Sequence, residues 1–301
     1  MKQVMIASSR RAAVLAALER DGYRLAMPTL DGFIGLGSGC LAYRRQRPGG
    51  TATRRSDAPP LLFIHGAGGG SLHFAELLRA FGRERRCYAL DLPGHGGSSP
   101  YTDWPEDEQL LETYVETIAA FAERVGLGRF LLAGHSMGGA LAQHFALRYP
   151  DRLSGLALLA TSASLRVSRA LMTMLDDHFE SLPRTFAQSS YSPACDPGLV
   201  KRFVAEQLQC DKRVLLADFR ACKRFDVRER LVEIGTPAVV VSATDDLITP
   251  PKVQQRLVDG LQRARLCTVS RAGHFVLRER PEPVIEAIRQ LERDPPRGAG
   301  C

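Results

Sequence analysis

Lysine is scarce in this chain. Only Lys2, Lys201, Lys212, Lys223 and Lys252 stand among its 40 basic residues, and the rest are arginine. Tryptophan occurs once, at Trp104. The one local basic cluster, Arg44, Arg45, Arg47, Arg54 and Arg55, lacks the aromatic interleaving or recognisable module of a nucleic-acid surface. The net charge of +7 therefore reads as compositional bias plus a solvated loop, and no nucleic-acid partner is expected. The seven cysteines are odd in number and contain no C-x-x-C pair. That argues against a disulfide framework or structural zinc and for a reducing compartment. No apolar run approaches the roughly 18 residues of a spanning helix. The opening Met1–Ile6 stretch is broken by serines and arginines and is too short for a secretory segment. A soluble, cytoplasmic protein with no membrane partner is expected. No internal repeat is visible, and oligomeric state leaves no mark in the pattern.

What is present is a core-forming chain of 301 residues, 45% hydrophobic. Its organising stretch is Phe130 to Ala140. An apolar β-type run, Phe130–Ala133, meets Gly134-His135-Ser136-Met137-Gly138, and a helix-type pattern follows. Gly-x-Ser-x-Gly between a strand and a helix is the nucleophile-elbow pattern. The turn strains the serine backbone, and flanking Cβ atoms would collide, so glycine stands at 134, 138 and 139. Ser136 is then presented at the carboxyl end of a strand, with the Met137 amide at a helix N-terminus able to face a developing oxyanion.

The chain alternates strand and helix patterns on both sides of this point. Residues 12–18 read as a short helix and 35–45 as an early strand. Leu61–Ile64 is a buried strand that ends in His65-Gly66-Ala67-Gly68-Gly69-Gly70, where main-chain amides can approach a ligand. Cys87–Leu90 is another strand and leads into the turn cluster Asp91 to Ser98, which accounts for His95 better than a role as catalytic base does. Residues 109–125 carry Leu111, Tyr114, Val115, Ile118, Phe121, Ala122 and Val125 at helical spacing, and Gly126 stops the helix. Leu156–Ala160 is the next strand. Between 162 and 230 β-type runs vanish, and methionines and aromatics appear among charges. This reads as helices inserted outside the sheet, able to act as a lid over Ser136 as well as to form their own core. Strands resume at Pro237–Val241 and Leu266–Val269, with helices at 252–261 and 282–291. The expected organisation is an N-terminal helical extension (1–34), a core (35–161 and 231–293), a helical cap (162–230) and a disordered tail (294–301).

Ser136, Asp245 or Asp246, and His274 all lie just past core strands, so parallel strands can bring them to one edge. The order serine, acid, histidine is that of the α/β-hydrolases. The sequence resembles that superfamily, in its serine-nucleophile form with a helical cap, from about Gly35 to Leu291. The resemblance rests on His65-Gly66-Ala67-Gly68, on Asp91-x-x-Gly94-His95-Gly96-x-Ser98, on the elbow, on Asp246-x-x-x-Pro250 and on Gly273-His274.

The resemblance implies a mostly parallel α/β sheet with helices on both faces and a cap inserted after the strand that follows the elbow. It makes Ser136 the nucleophile and His274 the base. It favours Asp246 as the acid, four residues before Pro250, with Asp245 as the alternative. The chosen carboxylate should be buried and bonded to His274. The Ala67 and Met137 amides form the oxyanion hole by the same similarity. No cofactor is expected, and His65, His73, His135 and His144 lack metal-ligand spacing. His135 is read as a structural part of the elbow.

The expected substrate is a small acyl compound: a carboxylic ester, lactone or thioester. The cap region is loosely similar to that of enol-lactone hydrolases and of aminoacrylate or carbamate hydrolases. An apolar pocket involving Met172, Met174, Phe179, Phe186 and Phe275 is expected. Two other readings compete. One is a carbon–carbon bond hydrolase of a β-diketone or ring-cleavage product, disfavoured because Phe275 stands where such enzymes often carry tryptophan. The other is a non-catalytic binding protein on the same scaffold, disfavoured because all three reactive residues are present.

Overall fold

A computed structural model describes residues 32–36, 39–46, 58–179 and 181–296. The helix expected at 12–18 lies outside them. The described chain forms an eight-stranded sheet in the order β1-β2-β4-β3-β5-β6-β7-β8. The strands are β1 (Gly32–Leu36), β2 (Gly39–Gln46), β3 (Leu61–Ile64), β4 (Cys87–Leu90), β5 (Phe130–His135), β6 (Leu153–Leu159), β7 (Ala238–Ala243) and β8 (Ala264–Val269). The stretch expected as one early strand is a hairpin instead. β1 and β2 pair antiparallel, with Gly32 opposite Tyr43 and Leu36 opposite Gly39. β2 joins β4 antiparallel, and every later pairing is parallel.

Strands β3, β4, β5 and β7 are buried at every position because helices cover both faces. The period of two sorts their side chains. Leu62, Ile64, Leu132, Leu156, Leu158 and Val240 face one layer, which contains α2 (Leu110–Arg124), α3 (Met137–Arg148) and α8 (Pro251–Gly260). Leu61, Phe63, Leu131, Ala133, Val239 and Val241 face the other, with α1 (Ala75–Phe81), α9 (Val276–Glu279) and α10 (Pro281–Arg293). In α2 the predicted stripe of Leu111, Tyr114, Val115, Ile118, Phe121 and Ala122 is buried. Gly126 follows the helix with φ +67°, a conformation that costs glycine little.

Between β6 and β7 the chain leaves the sheet as four helices: α4 (Arg169–Asp177), α5 (Leu182–Ser190), α6 (Pro197–Gln207) and α7 (Lys212–Arg224). Outgoing and returning chains touch at their base. Ser164 and Asp226 form an antiparallel bridge, and Val227 N–H donates to the Ala163 carbonyl at 2.8 Å. Asp196 and Asp211 cap α6 and α7 by accepting from the amides of Gly198 and Arg213. At the other end of the chain, residues 294–296, expected as part of a disordered tail, are tied to the core. Arg263 Nε donates to the Pro296 carbonyl at 3.0 Å, and Arg265 pairs with Asp294.

Candidate active site

The site is built at the carboxyl edge of the parallel strands. β5 runs straight into α3 through Ser136, whose φ of 54° and ψ of −119° form a strained backbone for a non-glycine residue. The surroundings hold that strain. Ser136 N–H donates to the Leu159 carbonyl at 3.0 Å, and its own carbonyl accepts from Thr161 Oγ1 at 2.8 Å and from the first turn of α3. Glycine is required here by close approach. A Cβ on Gly138 would strike the carbonyls of Ile64 and His65, and one on Gly134 would strike Gly138 itself. Ser136 is half-buried, and its hydroxyl forms no hydrogen bond with the described residues. The amides of Met137 and Ala67 are likewise without a partner among the described residues.

Asp246 and His274 follow β7 and β8 and are both buried. His274 Nδ1 lies 3.0 and 3.2 Å from the two Asp246 carboxylate oxygens. That carboxylate also accepts from the amides of Ile248 and Thr249, each at 2.9 Å, and from Thr249 Oγ1 at 2.8 Å. Burial alone raises its pKa. The interaction with His274 and the bonds from His274 and Thr249 outweigh burial and leave it below the ordinary value. Asp245 stands elsewhere. It is half-buried, accepts from Ser192 Oγ at 2.6 Å and from Thr244 Oγ1 at 2.8 Å, and forms no hydrogen bond or ion pair with His274.

His135 joins the two parts of the site. Its Nε2 donates to the His274 carbonyl at 2.8 Å, and the two rings stand 4.9 Å apart. The residue next to Ser136 thus rests against His274. Burial, together with the nearby His274, holds His135 well below the ordinary histidine pKa, so it is neutral. His65 is also neutral and structural. Its Nδ1 donates to the Gly66 carbonyl at 2.8 Å, while Nε2 accepts from the Leu92 amide at 3.0 Å.

The helical insertion packs on the loop after β3. Ala67 lies against an apolar cluster that holds Leu175, Leu182 and Leu215, with Met172, Met174, Phe179 and Phe186 half-buried around it. Phe275 takes a different place. Its ring is buried, stacked on Tyr191 at 5.1 Å, and it touches Phe203, His73 and His135. It packs the joint between the insertion and the core. Beside it, Arg278 pairs with Glu206 of α6 at 2.7 Å. Burial raises Glu206, but Arg278 and His73 bring it down to about 2.

A model of the alpha/beta hydrolase family matches residues 61–287. The chain belongs to the alpha/beta hydrolase family. Among curated relatives, this hydrolase is 28% identical over 252 residues to RutD of Rhizobium rhizogenes, provisionally named a carbamate hydrolase. That match covers 79% of this chain and 94% of the relative. It is also 28% identical over 229 residues to a pimeloyl-[acyl-carrier protein] methyl ester esterase of Neisseria meningitidis, covering 71% and 86%. The enol-lactonase of Burkholderia xenovorans shares the fold, with a TM-score of 0.78 at 20% identity over 87% of this chain and all of that one. Among the described residues, no helix of this hydrolase is long and apolar enough to cross a membrane. Among them, too, no group of three or more His, Cys, Asp or Glu is arranged to hold a metal ion.

The motifs did not reveal Asp218 of α7. It is fully buried and accepts from three donors: Gly68 N–H at 3.0 Å, His95 Nε2 at 2.9 Å and Tyr114 Oη at 2.9 Å. The signal was present in the spacing. Asp218 lies on the apolar stripe of its helix, among Val214, Leu215, Ala217, Ala221 and Cys222. An acid on such a stripe has to find donors.

Proposed function

We propose that this hydrolase cleaves a carboxylic ester, lactone or thioester through a Ser136–His274–Asp246 triad and an acyl-enzyme intermediate. The carrying observation is the buried Asp246–His274 pair, seated against the residue that precedes the strained Ser136. Asp246 binds Nδ1, which leaves Nε2 as the nitrogen that can act on Ser136. A serine hydroxyl is a weak nucleophile, so His274 takes its proton as the oxygen attacks the carbonyl carbon. Asp246 keeps the ring in that tautomer and stabilises the imidazolium. The amides of Ala67 and Met137 receive the oxyanion, each contributing about 3 kcal/mol in the transition state. His274 then protonates the leaving group. Water, activated by the same ring, releases the acid from Ser136.

The helical insertion acts as a cap. Met172, Met174, Phe179 and Phe186, gathered near Ala67, form an apolar wall for the acyl group, whereas Phe275 serves packing. Relatives named for methyl ester, carbamate and enol-lactone substrates support an acyl-type substrate.

Labelling with a fluorophosphonate probe tests the nucleophile. Wild type should react and Ser136→Ala should not; an unreactive, folded wild type overturns the assignment. A chain-length series of p-nitrophenyl esters, run beside lactones and a β-diketone, tests the substrate class. Turnover of the diketone alone would replace the acyl reading with carbon–carbon cleavage.

A further inference from the structure

Gly68 follows the proposed oxyanion donor Ala67, and its polar backbone atoms are gripped by the helical insertion. Its N–H donates to Asp218 Oδ2 at 3.0 Å. Its carbonyl accepts from Gln207 Nε2 and from the Cys210 thiol, both at 2.8 Å. These partners lie 139 to 150 residues away in sequence. Gly68 has φ +61°, and a Cβ there would sit 2.6 Å from Leu215 Cδ1 and 3.1 Å from Gln207 Oε1. The left-handed φ is what calls for glycine, and side-chain ends of the insertion lie directly on the turn.

The consequence follows from peptide planarity. Asp218 sets the plane between Ala67 and Gly68, and Gln207 with Cys210 sets the plane between Gly68 and Gly69. The Gly69 amide closes the turn on the Gly66 carbonyl at 3.0 Å. With these planes held, the Ala67 amide that precedes them has little freedom of direction. Asp218 is itself immobilised by His95 of the core turn and Tyr114 of α2.

We propose that Asp218, assisted by Gln207 and Cys210, is a positioning residue for the oxyanion hole, so that the hole is complete only when the insertion is seated. This rests on the acyl-transfer reading given above. It makes the insertion part of the catalytic apparatus as well as a wall for substrate. An oxyanion donor acts on charge that exists only in the transition state, so its misplacement lowers kcat and leaves KM nearly unchanged.

The test is the Asp218→Asn variant, assayed on a p-nitrophenyl ester that wild type turns over, with melting temperature measured in parallel. The expected result is a fall in kcat of about 10- to 100-fold with KM within about 3-fold. Affinity for a trifluoromethyl ketone analogue of the tetrahedral intermediate should fall in proportion to kcat/KM. A folded Asp218→Asn protein with kcat and analogue affinity within 2-fold of wild type overturns the proposal. Should that variant fail to fold, Gln207→Leu combined with Cys210→Ala removes only the carbonyl-side grip. It should lower kcat by about 3- to 10-fold, and an unchanged kcat there overturns the proposal equally. Fluorophosphonate labelling separates this failure from that of the underlying reading. If Ser136→Ala is still labelled, the nucleophile is wrong. If labelling needs Ser136 but kcat ignores Asp218, only the positioning role is wrong.

Discussion

Among the described residues, two carboxylate–imidazole pairs have both side chains fully buried, and they differ at the second ring nitrogen. Asp246–His274 joins the ends of β7 and β8 at 3.0 Å, and Asp218–His95 joins the insertion to the core at 2.9 Å. In the first, the carboxylate occupies Nδ1, and no described residue bonds Nε2. In the second, both nitrogens face acceptors: Nε2 meets Asp218, and Nδ1 meets the Pro93 carbonyl at 3.1 Å. Two donated bonds require the imidazolium. Burial lowers the His95 pKa, but Asp218 and the Pro93 bond outweigh it and the net shift is upward. A ring with one nitrogen free can carry a proton between groups. A ring with both occupied is held in place, and while protonated it neutralises a carboxylate that would otherwise be buried without a counter-charge. Chemistry is decided by the second nitrogen rather than by the presence of an Asp–His pair.

The largest expected effect separates the two rings outright. His274→Ala should lower kcat/KM by about 10⁴-fold, a loss that persists when the assay is run well below the melting temperature of the variant. His95→Ala should do the reverse in emphasis. It leaves Asp218 without its counter-charge and should destabilise the fold by about 3 to 5 kcal/mol in urea unfolding. Equal activity losses in the two variants at equal stability would break the distinction.

The pairs should also fail at opposite ends of the pH scale. His95 is raised above its ordinary 6.5, so its contribution is complete below that value and is lost as pH rises through the raised pKa. Besides Asp218, the groups around it are His65, Asp91 and Tyr114. Asp246 is depressed below its ordinary 3.8, so its contribution is complete above that value and is lost as pH falls through the depressed pKa. Unfolding measured from about pH 3 to pH 10 should show the alkaline limb flattened by His95→Gln and the acid limb flattened by Asp246→Asn. Identical limbs in both variants would contradict the assignment. The smallest effect belongs to Asp245→Asn. Its carboxylate is bonded to Ser192 and Thr244, away from His274, and kcat should stay within about 3-fold of wild type.

Local pattern carried a large part of this description. The runs Leu61–Ile64, Phe130–Ala133 and Val239–Val241 are apolar at every position, because strands covered on both faces have no solvent side. The glycines around Ser136 mark backbone passing backbone, and close approach is a one-residue requirement that spacing records. The proline spacing preferred Asp246 to Asp245 in advance, but the preference came from resemblance. Burial and the contact with His274 are properties of the folded chain. The β1–β2 hairpin was legible in principle: Gly37-Ser38, the two residues between Leu36 and Gly39, is a pair of the kind that joins hairpin strands, but the glycine-rich run Gly35 to Gly39 masks the alternation that would mark a separate first strand. Asp218 was out of reach for a different reason. Its partners, Gly68, His95 and Tyr114, stand between 104 and 150 residues away on three separate segments. Side-chain periodicity tells which face of a helix turns inward, and it carries no information on what waits there. That meeting is decided only when the insertion folds back over the sheet edge and a buried charge has to be matched by whatever donors the packing supplies.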